Sequence, residues 1–75
     1  MFDNKVRASW AEAALNTFGK YSGQAVVGPE ESDAAQMMEE IIADLITDLY
    51  HLGDEYKISA RDLRSRSWGN YEGER

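Results

Sequence analysis

The sequence predicts an all-α protein, a small antiparallel three-helix bundle that forms one domain over residues 1–75. Three observations predict this fold. Apolar residues recur at intervals of three and four, residues that start or stop helices separate three such segments, and no segment alternates as a strand would. A chain of 75 residues is also too short for a second domain.

The first helix is expected over residues 9–21. Ser9 and Glu12 match a capping box, in which the serine hydroxyl accepts from the N–H of Glu12 and the glutamate reaches back. Gly23 suits the left-handed position that ends many helices. The alternative starts are Asp3 and Asn4.

The second helix is expected over residues 30–52. Pro29 suits the start of a helix because its fixed φ is helical and its missing N–H is not needed there. Gly53 is the expected stop. Carboxylates near the start complement the positive end of the helix dipole, and they belong to Glu30, Glu31 and Asp33.

The third helix is expected over residues 59–68. Ser59 and Asp62 resemble a capping box with aspartate in place of glutamate. Gly69 has low helix propensity, so we expect the helix to end near Trp68. Residues 70–75 are then expected to form a frayed tail.

The apolar stripe of the second helix predicts both the core and an association. Seven large residues form the stripe, and two short helices do not easily cover so many. Any part of the stripe that stays exposed is expected to mark an interface. We therefore expect a homodimer or a complex with another protein. The expected core residues are Trp10, Phe18, Met38, Ile42, Leu45, Leu49, Leu52 and Leu63.

Composition narrows the classes of protein. The chain has no cysteine, which excludes disulfides and thiolate metal sites. No apolar run approaches the ~18 residues of a membrane span, so a cytoplasmic protein without membrane partners is expected. The net charge of −6 argues against direct nucleic-acid binding.

Charge is unevenly distributed along the chain. Residues 29–55 contain nine acids and no Lys or Arg, whereas residues 57–67 contain four bases and one acid. The acids either lie beside the basic segment within the fold or a dimer, or they attract a basic partner. The residues expected to bind a partner are Glu40, Asp44, Thr47, His51, Arg61, Arg64 and Trp68.

Few residues suggest catalysis. No Gly-x-Ser-x-Gly or phosphate-binding glycine loop occurs, and the single histidine lies among acids. Arg61, Arg64 and Trp68 could grip a phosphate or stack on a base. The interpretation we favour is that the arginines pair with the acidic helix and Trp68 covers the edge of the core.

Two resemblances to known families follow from longer patterns. The segments Trp10–Phe18, Ile42–His51 and Asn70–Glu74 resemble a group of small uncharacterised proteins found in bacteria, phages and plasmids. That resemblance implies a mobile-element or bacterial origin and no particular activity. The segment Glu39–Leu45 resembles the metal-binding helix of MazG-like nucleotide pyrophosphohydrolases. This second resemblance implies that Mg²⁺ and a nucleoside triphosphate are held by Glu39, Glu40, Asp44 and Asp48.

The sequence therefore favours an interaction module over an enzyme. The preferred hypothesis is a small acidic protein that binds a protein partner, with imitation of nucleic-acid charge as one version. The alternative is a metal-dependent pyrophosphohydrolase of the MazG type. No cofactor is expected in the preferred case.

Overall fold

The structure, a computed structural model, describes residues 3–75 and consists of three helices joined by segments of eleven and four residues. They are α1 (Asn4–Ser22), α2 (Ala34–Glu55) and α3 (Ala60–Glu74). The described chain is 77% helical without strands, which confirms the all-α prediction. Contacts of α1 with α2 and of α2 with α3 are consistent with the predicted three-helix bundle. Met1 and Phe2 lie outside the described residues.

Contacts divide the chain into two units. The N-terminal unit, Met1–Leu45, contains α1 and the first half of α2, and the C-terminal unit, Ile46–Arg75, contains the last turns of α2 together with α3. Within the described residues, no helix is long and apolar enough to cross a membrane.

The predicted start of α1 at Ser9 is wrong, and the alternative start at Asp3 or Asn4 is confirmed. Asp3 is the N-cap, and its side chain accepts from the N–H of Val6 at 2.9 Å. Ser9 therefore lies inside the helix, where its hydroxyl donates to the Val6 carbonyl at 2.6 Å. The predicted stop is confirmed, since Gly23 has φ 78° and its N–H donates to the Gly19 carbonyl.

The predicted start of α2 is also wrong, because the acidic segment before it forms turns. The N–H of Glu31 donates to the Gly28 carbonyl, and the N–H of Ala34 donates to the Glu31 carbonyl. These bonds span three residues instead of the four of an α-helix. As a result, Pro29 and the three acids after it precede α2, which has no acidic residue in its first turn.

The C-terminal end of α2 lies beyond the predicted stop at Gly53. Lys57 adopts the left-handed conformation, with φ 60°. The Ile58 N–H donates to the Gly53 carbonyl at 2.9 Å, and the Lys57 N–H donates to the Asp54 carbonyl at 3.1 Å. This pair of bonds is the Schellman motif, so the chain reverses at Lys57 and α2 extends to Glu55.

The third helix begins as predicted but does not end at Trp68 as predicted. Ser59 caps it by accepting from the N–H of Asp62 at 3.0 Å. The segment expected to be a frayed tail is helical as far as Glu74. Side chains three residues apart support these last turns: the rings of Trp68 and Tyr71 are 5.4 Å apart, and Arg75 pairs with Glu72 at 2.9 Å.

The core differs from the predicted one. Among the described residues, the buried apolar side chains are Leu15 and Ile41, at 4% and 1% exposure. Four predicted core residues are half-buried, namely Phe18, Met38, Leu45 and Leu63. The other four are exposed by 43–54%, which makes the prediction wrong for Trp10, Ile42, Leu49 and Leu52.

The packing of Gly19 explains this difference in the N-terminal unit. A Cβ atom at Gly19 would lie 3.6 Å from Cδ1 of Ile41, so the bare backbone of α1 faces that side chain. Ile42 is rotated by about 100° around the helix axis and points away. The buried line of α2 is therefore centred on Ile41, with Met38 and Leu45 beside it.

Candidate functional site

An apolar groove with a volume of about 700 Å³ lies in the C-terminal unit. Its lining comes from the last turns of α2, the turn that follows and α3. Seven large side chains of the lining are 44–73% exposed, and they belong to Ile46, Leu49, Leu52, Tyr56, Ile58, Trp68 and Tyr71. We refer to this surface as the apolar groove.

Gly53 and the left-handed turn determine the floor of the apolar groove. A Cβ atom at Gly53 would lie 2.7 Å from Cδ1 of Leu63, so the absence of a side chain lets α3 approach α2 closely. The turn at Lys57 then brings Ile58 back over this contact, because the Ile58 carbonyl is 3.4 Å from the same position. The glycine predicted to stop α2 instead forms a helix contact beneath the groove.

Aromatic rings line the part of the apolar groove that α3 provides. The rings of Trp68 and Tyr71 contact each other with their planes inclined by 37°. The guanidinium of Arg75 lies 5.8 Å from the centre of the Tyr71 ring, within the range of a cation–π interaction. More than half of each of the two aromatic side chains nevertheless remains exposed.

Two predicted partner-binding arginines lie at the apolar groove or next to it. Arg64 lines it, and Arg61 and Arg64 also border a smaller hollow of about 210 Å³ with Tyr50. Within residues 3–75, neither arginine forms an ion pair. The favoured interpretation that these arginines pair with the acidic helix is therefore wrong for the described residues. Trp68 is 59% exposed and lines the apolar groove.

The predicted acidic face of α2 is exposed. Glu40 and Asp44 belong to the N-terminal unit, where an Asp44 carboxylate oxygen accepts from the Gln24 amide at 2.9 Å. Thr47 and His51 belong to the C-terminal unit and are also exposed. Asp44 thus forms a hydrogen bond with the segment that follows α1, whereas Glu40 projects to solvent.

The structure does not assemble the metal site that the MazG resemblance implies. No group of three or more histidine or carboxylate side chains within residues 3–75 is placed to hold a metal ion. The geometry consequently gives no support to a nucleotide site built on Glu39, Glu40, Asp44 and Asp48.

Some groove residues were not among the predicted site residues. Leu49 and Leu52 were predicted to lie in the core, and Tyr56 was not among the predicted core or site residues. The signal that pointed to Leu49 and Leu52 was the number of large residues in the stripe of α2, which exceeds what its neighbours cover. Tyr71 has the helical spacing that shares a face with Leu63 and Ser67, but the predicted end of the helix near Trp68 excluded it.

The comparisons with known proteins give no match: no family model, no curated protein and no solved structure is similar to this chain. The two resemblances in the sequence remain predictions.

Proposed function

We propose that this protein is an interaction module that binds protein surfaces through the apolar groove. The observation that carries the proposal is the exposure of seven large apolar and aromatic side chains around one concave surface. Monomeric proteins rarely expose contiguous apolar patches larger than a few hundred Å² unless those patches bind something.

The chemistry of the groove supports a protein as the ligand. Binding energy at protein interfaces is concentrated in Trp, Tyr and Arg side chains. The apolar groove presents Trp68, Tyr56, Tyr71 and Arg64, together with aliphatic residues from α2. Such a surface suits the apolar face of a helix, whose side chains enter a groove at regular intervals.

Affinity capture from an extract of the native cells tests the proposal. The bait is compared with two matched variants, Tyr56→Ser in the apolar groove and Tyr21→Ser outside it. Both side chains are largely exposed, at 73% and 87%, so neither change disturbs a packed core. We expect the wild type and Tyr21→Ser to retain the same proteins, copies of this chain included, and Tyr56→Ser to lose them.

A third variant, Glu40→Lys, tests whether the partner binds the acidic side of α2 through charge, because Glu40 is exposed on that side. If the apolar groove is the binding surface, this variant retains the same proteins as the wild type. Equal capture by Tyr56→Ser and the wild type, with loss only for Glu40→Lys, would overturn the groove proposal in favour of the acidic face.

A further inference from the structure

The exposed area of the apolar groove matches that of a dimer interface. At ~200 Å² for each large side chain, the seven exposed residues leave roughly 750 Å² open to solvent. A specific interface of standard size buries about 800 Å² on each partner. An occupant that covers all seven side chains would therefore bury an area of ordinary interface size.

Positive charge beside the apolar groove indicates which charge the occupant carries. Arg64 lines the groove and Arg61 lies next to it, and neither forms an ion pair within the described part of the chain. Unpaired arginines at the edge of an apolar surface favour a partner that brings carboxylates. The fitting occupant is an apolar helix with acidic flanks.

The chain contains such a helix in α2. Ile46, Leu49 and Leu52 are spaced by three residues, share one side of the helix and are 44–54% exposed. Asp48 and Glu55 lie four residues before and three residues after Leu52, beside that stripe. No lysine or arginine occurs anywhere in α2.

We propose that the occupant of the apolar groove is a second copy of this chain. The two copies associate about a two-fold axis, and the last turns of each α2 seat in the groove of the other. The interface is isologous, so the same residues serve both copies and roughly 750 Å² is buried on each. This inference rests on the proposed function and names its partner.

Sedimentation equilibrium over low to high micromolar concentrations tests it. The variants are two matched pairs: Tyr56→Ser with Tyr21→Ser, and Arg64→Glu with Arg66→Glu. All four side chains are exposed, but only Tyr56 and Arg64 line the groove. We expect a dimer for the wild type and for the two controls, with dissociation constants at least about tenfold higher for the groove variants.

Circular dichroism on the same samples shows that each variant keeps its helices. A wild type that stays monomeric over the whole range overturns the second copy as occupant. If the capture experiment still shows a groove-dependent partner in that case, the proposed function stands and only this inference fails. A dimer that Tyr56→Ser and Arg64→Glu leave unchanged places the interface elsewhere and also overturns the inference.

Discussion

Replacing Ile41 with alanine is expected to lower the free energy of unfolding by about 2–5 kcal/mol, the usual cost of truncating a buried isoleucine. Ile41 is 1% exposed and is one of two buried apolar side chains among residues 3–75. Small domains are stable by only about 5–15 kcal/mol, so this loss is a large share of the total. The physical reason is the cavity left in a core that has few other members.

The matched control is Ile42→Ala, which removes the same atoms one residue along α2. Because Ile42 is 43% exposed, we expect a loss of about 1 kcal/mol or less. Urea unfolding followed by helical circular dichroism, at one protein concentration, measures both variants. Equal losses, or a larger loss for Ile42→Ala, would contradict the core described above and restore the one that the sequence pattern predicts.

A second large effect is expected from Gly19→Ala. The added Cβ atom would overlap the backbone carbonyl oxygen of Gln24, which cannot rotate away as a side chain can. The Gln24 N–H also donates to the Gly19 carbonyl at 3.1 Å, so the two backbones are tied together. We expect the free energy of unfolding to fall by about 1–3 kcal/mol, although alanine is the better helix former.

Gly69→Ala is the control for this change. Gly69 lies inside α3, and apart from its chain neighbours and its own helix backbone no atom lies within 4 Å of an added Cβ. The same substitution should therefore raise the free energy of unfolding by about 0.5–1 kcal/mol through helix propensity alone. Urea unfolding of the two variants gives changes of opposite sign, and stabilisation by Gly19→Ala would refute the close approach of Gln24.

The sequence predicts the three helices well because their periodicity and most of their boundary residues are local. It misplaces helix ends where a neighbouring residue or hydrogen bond can end the helix equally well. Asp3 takes the capping role expected of Ser9, and the Schellman bonds move the end of α2 from Gly53 to Glu55. Gly69 fails to stop α3 because the Trp68–Tyr71 and Glu72–Arg75 contacts support the turns beyond it.

The core and the site depend on which side of α2 its neighbours cover, and periodicity alone does not determine this. The stripe is wide enough to be centred on either Ile41 or Ile42, and the bare backbone at Gly19 selects Ile41. The large residues of the C-terminal unit that no neighbour covers, such as Leu49 and Leu52, line the apolar groove and do not form a core. The expected uncovered apolar remainder is present, but the sequence did not indicate which residues of the stripe would form it.

If a protein surface covers the apolar groove, the side chains that line the groove lose their contact with solvent. Nuclear magnetic resonance with a soluble paramagnetic chelate tests this directly, because the chelate broadens only the methyl signals that solvent reaches. In the associated protein, at high concentration or with a captured partner, we expect the methyl groups of Leu49, Leu52 and Ile58 to lose this broadening. Those of Met37 and Ile42, which are exposed outside the groove, should keep it. Protection of Met37 and Ile42 with the groove methyl groups still broadened would contradict this coverage of the groove.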